Sequence, residues 1–196
     1  MRLYLLRHGK PSIEPGHCYG STDLAVPIGE QERVIDAILP LLSRLPPGVP
    51  IYTSPLRRCR ELAAALAGRL MLRKPVIDAR LAEMHFGAWE MQPWDRIPRA
   101  EVDAWAADLT GYRPGGGERV LDVAARVGAF LADLPPADAD GDAAVIVAHA
   151  GTMRLLKECV RGGPTRDIGL RAAQSRHDIA YGELLILECR PGSSAG

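Results

Sequence analysis

The sequence AAVIVAHAGTMRLLKECV, residues 143–160, combines the strongest buried-strand pattern of the chain with a helical pattern directly after it. An unbroken apolar run leads up to His149, which is typical of a strand buried on both faces. The small residues AGT then indicate a turn, and the apolar residues behind them recur at helical spacing. This segment therefore predicts a strand, a turn and a helix, with a histidine where the strand ends.

The same alternation of strand and helix continues through the rest of the chain. Short runs typical of strands are RLYLL at residues 2–6, IYT at 51–53, PVID at 75–78 and ELLILEC at 183–189. Helical patterns occupy residues 29–45, 56–70 and 120–131. Strands that alternate with helices predict an α/β fold with a largely parallel sheet that helices cover on both faces.

Residues 81–114 are less regular and contain four of the large aromatic side chains, Phe86, Trp89, Trp94 and Trp105. We expect these to pack in the core and in a lid, because no stripe of basic residues accompanies them as in a base-stacking surface. The chain shows no internal repeat and no interdomain linker. We therefore expect one catalytic domain over residues 1–190 and a flexible tail over residues 191–196.

The overall charge is balanced, with 24 basic and 24 acidic residues. No net field attracts the chain to nucleic acid or to a membrane, so any anion must be bound by a local cluster. The amino end shows no signal-peptide pattern, and the four cysteines lie far apart without a CxxC pair. These features predict a cytoplasmic protein with free thiols and no zinc site, and leave the oligomeric state open.

Polar residues follow several of the predicted strands. His8 follows the first strand and His149 the strongest one, while Ser54, Arg57 and Arg58 follow IYT. Glu83 and His85 come shortly after PVID. Because ligands bind outside the carboxyl ends of the strands in parallel sheets, we expect these side chains to converge at one edge.

This combination of residues fits phosphoryl transfer without a metal or other cofactor. Guanidinium groups match phosphate oxygens, so Arg7, Arg58 and a donor from His149 would stabilise the transferred group. The imidazole of His8 is a competent nucleophile, and Gly9 would allow a close approach of the phosphate. Glu83 is the natural general acid for the leaving alcohol and then the base for water. The partner expected is a small phosphate monoester.

Each of these residues has a simpler interpretation when it is taken alone. A histidine after a strand is often a hydrogen-bonded structural residue, and Arg57 with Arg58 could be a solvated helix start. The roles of His17, His85 and Arg57 stay open, and His177 is interpreted as a surface or structural histidine. The catalytic interpretation depends on the whole set occurring at successive strand ends.

The same residues resemble the histidine phosphatase superfamily, which has the phosphoglycerate-mutase-like fold. LLRHGKP is similar to its Arg-His-Gly signature, YTSPLRRCRELA to its Ser-Pro-Leu-x-Arg segment, AEMHFGAWE to its acidic loop and VIVAHAGTMR to its second-histidine motif. The resemblance implies a three-layer α/β/α sandwich around a six-stranded, mostly parallel sheet. It also implies that His8 is phosphorylated, that Arg7, Arg58 and His149 bind phosphate, and that Glu83 donates the proton.

Within the superfamily, PGHCYGSTDL at residues 15–24 and the aromatic segment resemble the α-ribazole phosphatase group most. Tyr19 and Gly20 then match a substrate-contacting loop, and the implied reaction is dephosphorylation of α-ribazole 5′-phosphate in cobalamin biosynthesis. Lys10, Met91 with Gln92, and Arg119 depart from the family pattern around the pocket, so they bear on the substrate. The open alternatives are a broad-specificity phosphatase, a phosphoglycerate mutase and a non-catalytic phospho-ligand binding protein.

Overall fold

A mixed β-sheet forms the centre of the fold in the computed structural model, which describes residues 1–135 and 143–189. Over these residues the sheet has five strands in the order β3-β2-β4-β1-β5. Their bounds are β1 Arg2–Arg7, β2 Ile51–Thr53, β3 Val76–Ile77, β4 Ala143–Ala148 and β5 Leu184–Glu188. Strands β1 to β4 pair in parallel, and β5 runs antiparallel to β1 at the edge.

Helices cover both faces of the sheet. Their bounds are α1 Ile28–Leu42, α2 Arg57–Leu70, α3 Arg99–Ala107, α4 Val120–Ala132, α5 Ala150–Arg161 and α6 Thr165–Gln174. Strand β4 shows how the layers form, because its alternate side chains point to opposite faces. Val145 and Val147 pack in the core with α1 and α2, whereas Ile146 packs in the core with α4, α5 and α6. The predicted three-layer α/β/α sandwich with a mostly parallel sheet is confirmed.

The number of strands differs from the six that the family resemblance implied. The five strands in the described residues are the five whose apolar runs are visible in the sequence. Helices α3 and α6 were not predicted. Helix α3 buries none of its side chains, and the ten-residue α6 buries only Ile168, Gly169 and Ala172, so each has few core-facing residues from which to predict it. The tail predicted at residues 191–196 lies outside the described residues.

The strand pairing brings three loop starts together at one edge of the sheet. In the register of β1 and β4, Arg7 is opposite Ala148, so His8 and His149 are the next residues of two neighbouring strands. Strand β2 lies on the other side of β4, and the amide of Ser54 donates to the carbonyl of Val147 at 3.1 Å. Across residues 1–135 and 143–189, no helix is both long enough and apolar enough to cross a bilayer.

Candidate active site

Two buried histidines form the centre of the candidate site. The ring centroids of His8 and His149 are 5.1 Å apart in an edge-to-face arrangement. Only 2% of His8 and 1% of His149 are exposed to solvent. The predicted convergence of these two histidines is therefore present in the structure, and Arg58, which is fully buried, lies directly beside them.

His8 is held in one tautomer by its own loop. Its Nδ1 is 2.7 Å from the carbonyl oxygen of Gly9, and a carbonyl can only accept, so Nδ1 carries the hydrogen. Burial, helped by the charges of Arg58 and Arg7, lowers the pKa of His8 well below its usual range. The ring is therefore neutral near pH 7, and its Nε2 has a free lone pair, as a nucleophile requires.

His149 has both ring nitrogens engaged. Arg58 Nε donates to Nδ1 at 3.2 Å, so the hydrogen of the neutral ring is on Nε2, which donates to the Ser54 hydroxyl at 2.8 Å. Burial, and then the charge of Arg58, lowers the pKa of His149 well below its usual range. The sequence predicts that His149 donates to a bound phosphate. In that state Nε2 would donate to the phosphate in place of the Ser54 hydroxyl.

Arg58 connects His149 to the loop that follows His17. Its Nη1 donates to the carbonyl of Thr22 at 2.7 Å and its Nη2 to the carbonyl of Gly20. A guanidinium group has five N–H donors, and three are used by Thr22, Gly20 and His149, so two are left for a phosphate. The neighbouring Arg57 instead forms an exposed ion pair with Glu61 at 2.8 Å, away from the two histidines.

Arg7, the residue before His8, is held by the segment that contains Ile179 and Tyr181. Its Nη1 donates to the carbonyl of Ile179, and its guanidinium carbon lies 3.8 Å from the ring centroid of Tyr181. Its Nε is buried and finds no hydrogen-bond partner among the described residues. An unpaired buried donor is costly unless a ligand uses it, so Arg7 has a donor available for an anion next to His8.

Glu83 is anchored at the start of helix α5. Its Oε2 accepts from the amide of Gly151 at 3.0 Å and its Oε1 from the amide of Met84 at 3.1 Å. A Cβ on residue 151 would overlap the Glu83 carboxyl in its present place, so with a larger residue there the carboxyl would have to shift. Helix α5 follows His149 directly, and therefore one segment of chain positions both the second histidine and the proposed proton donor.

A second carboxylate, Glu90, ties the loop of Gly20 to the segment that carries Glu83. It accepts from the amides of Ser21, Thr22 and Phe86 at 2.9, 2.7 and 3.0 Å, and from the hydroxyls of Ser21 and Thr22. Burial alone would raise the pKa of Glu90, but these hydrogen bonds lower it to about 2. The ionised carboxylate thereby fixes the two carbonyls to which Arg58 donates.

A cavity of about 590 Å³ lies on the Glu83 side of the site. Tyr19 and Glu83 line it, and the buried His8, Arg58 and His149 do not. Most of its wall is apolar and aromatic, including Phe86, Trp94, Trp105, Val102, Leu109 and Leu155. The rings of Trp94 and Trp105 are almost parallel, with an interplanar angle of 7°. This cavity is the natural place for the alcohol part of a phosphate ester.

The sequence analysis missed two residues near the site, Arg154 and Tyr181, and interpreted a third, His177, only as a surface or structural residue. Arg154 lines the cavity from helix α5, and its buried Nε has no hydrogen-bond partner in the described part of the chain. Burial lowers the pKa of the Arg154 guanidinium. His177 is exposed but also lines the cavity, and Tyr181 contacts both Arg7 and His8. Arg154 lies five residues after His149, so its position on the first turns of the helix was a usable signal.

Other predicted residues lie elsewhere. The exposed His85 is held by Glu118 through its backbone, and His17 pairs through Nδ1 with the carbonyl of Glu14 at 3.1 Å, so neither lines the cavity. The close approach of a phosphate at Gly9 stays a prediction, and the structure adds a packing reason for a small residue at this position. A Cβ there would meet Val26, Glu30 and Val34 at 3.1 to 3.4 Å, which shows that the loop packs closely on helix α1.

Gly20 is needed for close packing of its loop against the acidic segment. A Cβ at this position would overlap the carbonyl of Met84, the residue after Glu83. Tyr19 faces the cavity, and its hydroxyl lies 2.6 Å from that of Tyr181. Over residues 1–135 and 143–189, no three His, Cys, Asp or Glu side chains converge as a metal site would require.

Comparison with known proteins gives one family for nearly the whole chain. The profile of the histidine phosphatase superfamily (branch 1) matches residues 3–192. Glucosyl-3-phosphoglycerate phosphatase of Mycobacterium tuberculosis is 31% identical, over 79% of this chain and 73% of the relative. Adenosylcobalamin/alpha-ribazole phosphatase of Salmonella typhimurium is also 31% identical, over 80% of this chain and 77% of the relative.

Solved structures give the same picture. The native structure of mycobacterial glucosyl-3-phosphoglycerate phosphatase is similar with a TM-score of 0.72 and 29% identity, covering 86% of this chain and 83% of that one. The alpha-ribazole phosphatase from Shigella flexneri has a TM-score of 0.79 over 97% of this chain and 92% of that one, at 24% identity. This second likeness concerns the fold.

Proposed function

The chain belongs to the histidine phosphatase superfamily, and from this we propose that it is a metal-independent phosphomonoesterase that works through a phosphohistidine at His8. The observation that carries the proposal is the state of His8. The ring is neutral, its Nδ1–H is fixed by Gly9, and Nε2 is free as a nucleophile between Arg7 and Arg58. A histidine with only a structural role has no need of two arginine side chains beside it, one of them fully buried.

In the proposed first step, Nε2 of His8 forms a bond to phosphorus while the bond from phosphorus to the alcohol oxygen breaks. The unused donors of Arg7 and Arg58 stabilise the charge on the transferred group. Glu83 gives a proton to the leaving oxygen. In the second step a water oxygen bonds to phosphorus, the P–N bond breaks, and Glu83 takes the proton from the water.

For the substrate, we propose α-ribazole 5′-phosphate as the first candidate. Its leaving group is a nucleoside with a flat aromatic base, which suits the aromatic wall of the cavity formed by Phe86, Trp94 and Trp105. The relative from Salmonella typhimurium, named an adenosylcobalamin/alpha-ribazole phosphatase, supports this choice.

One observation favours a second candidate, glucosyl-3-phosphoglycerate. Arg154 faces the same cavity with a buried Nε that no described residue uses, and a guanidinium group matches a carboxylate well. A phosphoglycerate ester has a carboxylate close to its phosphate, whereas α-ribazole has none. The relative from Mycobacterium tuberculosis carries the name of this substrate.

Phosphate release from a substrate panel tests the reaction and separates the candidates. The panel holds α-ribazole 5′-phosphate, glucosyl-3-phosphoglycerate, 3-phosphoglycerate and p-nitrophenyl phosphate, with His8→Ala as the blank. We expect one of the first two to be preferred by kcat/KM. Slow phosphate release at an equal rate from all four esters would indicate a broad-specificity phosphatase. Isomerisation of 3-phosphoglycerate without phosphate release would indicate a mutase. Binding without any turnover would contradict an enzyme and support a phospho-ligand binding protein.

A further inference from the structure

The segment just before strand β5 is fastened to the two residues that start the site. The amide of Gly182 lies 3.2 Å from the carbonyl oxygens of both Arg7 and His8, and the amide of Arg7 donates to the carbonyl of Glu183 at 3.0 Å. Because β5 is antiparallel to β1, its first residues lie at the edge where β1 ends. Tyr181, next to Gly182, is thereby placed beside the nucleophile.

The ring of Tyr181 packs against the guanidinium group of Arg7. The guanidinium carbon is 3.8 Å from the ring centroid, within the range of a cation–π contact, and Nη1 of Arg7 is held by the carbonyl of Ile179. One aromatic face and one hydrogen bond from the same short segment leave the guanidinium little freedom. Its unused donors are therefore oriented before any phosphate arrives.

The hydroxyl of Tyr181 joins this arrangement to the opposite side of the site. It lies 2.6 Å from the hydroxyl of Tyr19, and the ring of Tyr19 is 5.4 Å from the guanidinium carbon of Arg58. The ring of Tyr181 is also 5.7 Å from that of His8. The two tyrosines thus connect Arg7 to Arg58 through a chain of contacts, and one of them also contacts the ring of His8.

We propose that Tyr181 is a positioning residue of the phosphate site, which acts by orienting Arg7 and is braced by Tyr19. This inference rests on the proposed function. It assigns a role to a side chain that is neither a nucleophile, nor a proton donor, nor a charged ligand of the phosphate. Its hydroxyl and its ring have separable effects, because the ring orients Arg7 and the hydroxyl pair connects Tyr181 to the loop of Tyr19.

The role of the ring is tested with orthovanadate, a phosphate mimic, whose binding is measured by calorimetry alongside kcat/KM for p-nitrophenyl phosphate. Tyr181→Leu is expected to weaken orthovanadate binding by roughly 10-fold, the scale of a lost cation–π contact in a desolvated site. Tyr181→Phe keeps the ring and should restore most of the binding. Tyr181→Gln, which is also non-aromatic, replaces the leucine variant if that variant does not fold.

Action through Arg7 is tested by repeating the leucine substitution in an Arg7→Lys background. If Tyr181 works by orienting the guanidinium, the substitution then weakens orthovanadate binding by less than about 2-fold, because residues that act together are not additive. A further loss of about 10-fold in orthovanadate affinity in the Arg7→Lys background would overturn the proposal. The proposal would also be overturned if Tyr181→Phe bound orthovanadate as weakly as Tyr181→Leu.

The hydrogen bond between the hydroxyls of Tyr19 and Tyr181 is tested by a separate double-mutant cycle. Tyr19→Phe and Tyr181→Phe remove the same hydrogen bond, so each should lower kcat/KM by roughly 3-fold and the double variant no further. Losses that multiply in the double variant would show that the pair does not act as a unit. If the wild-type protein neither binds orthovanadate nor hydrolyses p-nitrophenyl phosphate, the proposed function itself fails. Wild-type activity with an unaffected Tyr181→Leu variant would refute only the role of Tyr181.

Discussion

His8 and His149 stand edge to face, with ring centroids 5.1 Å apart, at the ends of two neighbouring parallel strands. Both rings are buried and neutral, and they carry their hydrogens on different nitrogens, Nδ1 in His8 and Nε2 in His149. The difference follows from their partners, a carbonyl in one case and an arginine in the other. It leaves Nε2 of His8 free and makes His8, not His149, the nucleophile of the proposed mechanism.

Glu83→Gln is expected to slow the hydrolysis of alkyl phosphates by roughly 100-fold or more, because the leaving alkoxide then receives no proton. p-Nitrophenolate leaves readily without a proton, so its release should be affected far less. The measurement is kcat/KM of the variant over a series of esters with different leaving-group pKa values. An equal loss for every ester would argue against Glu83 as the general acid.

Glu90→Gln is expected to lower both stability and activity, because the side chain loses the charge that accepts five hydrogen bonds from Ser21, Thr22 and Phe86. Hydrogen bonds to a charged group contribute about 1.5–3 kcal/mol each when one partner is removed, so urea unfolding should detect the change. Glu61→Gln, which breaks only the exposed pair with Arg57, is the matched control. A Glu90→Gln variant as stable and as active as this control would show that the hydrogen bonds of Glu90 are dispensable.

Stability is expected to fall as the pH is lowered from 7 towards 5. Burial lowers the pKa values of His8 and His149 in the folded state, so below about pH 6.5 the unfolded chain binds protons that the folded chain does not. Partial burial lowers the pKa of His177 in the same direction. Glu90, with its pKa of about 2, contributes only to losses at still lower pH.

Each of the two buried histidines, His8 and His149, adds up to about 1.4 kcal/mol per pH unit to the slope. Urea unfolding at several pH values measures this slope. His149→Gln should make the slope shallower by the contribution of one histidine. A wild-type stability that is flat between pH 7 and 5 would mean that the two histidines bind protons in the folded protein as readily as in the unfolded chain.

Chelators are expected to leave phosphatase activity unchanged, because the side chains of the arginines, His8 and Glu83 provide every function that the proposed mechanism needs. The test is turnover of p-nitrophenyl phosphate after dialysis against EDTA, with magnesium and zinc added back to separate samples. Activity that disappears on dialysis and returns with a metal would refute the mechanism.

The sequence allowed the central residues of the candidate site to be located because they lie where parallel strands end. His8, Arg58 and His149 each follow such a strand by a few residues, and the apolar runs that locate the strands are strong. Tyr181 could not be predicted in this way, because it does not follow a parallel strand. It precedes the antiparallel strand β5, whose start reaches the same edge only because of how the sheet is assembled. Which side a strand joins, and in which direction, depends on packing between distant segments and not on the local pattern.

The hydrogen-bonding state of the site was equally out of reach of the sequence. That Arg58 donates to the carbonyls of Gly20 and Thr22, and that Glu90 fixes this loop, depends on two loops far apart in the chain. Helices α3 and α6 were missed for a simpler reason, since few of their residues face the core. The aromatic residues were predicted to lie in the core and a lid, and Trp89 is buried while Trp94 lines the cavity with 40% of its surface exposed.

The central claim is that a phosphoryl group passes through His8. The direct measurement is mass spectrometry of the protein quenched at high pH, where phosphohistidine survives, during turnover of p-nitrophenyl phosphate, followed by mapping of the modified peptide. We expect phosphate on His8 in the wild type and in His17→Ala, and neither label nor turnover in His8→Ala. Turnover that persists in His8→Ala, or a phosphoryl group on any other residue, would contradict the account.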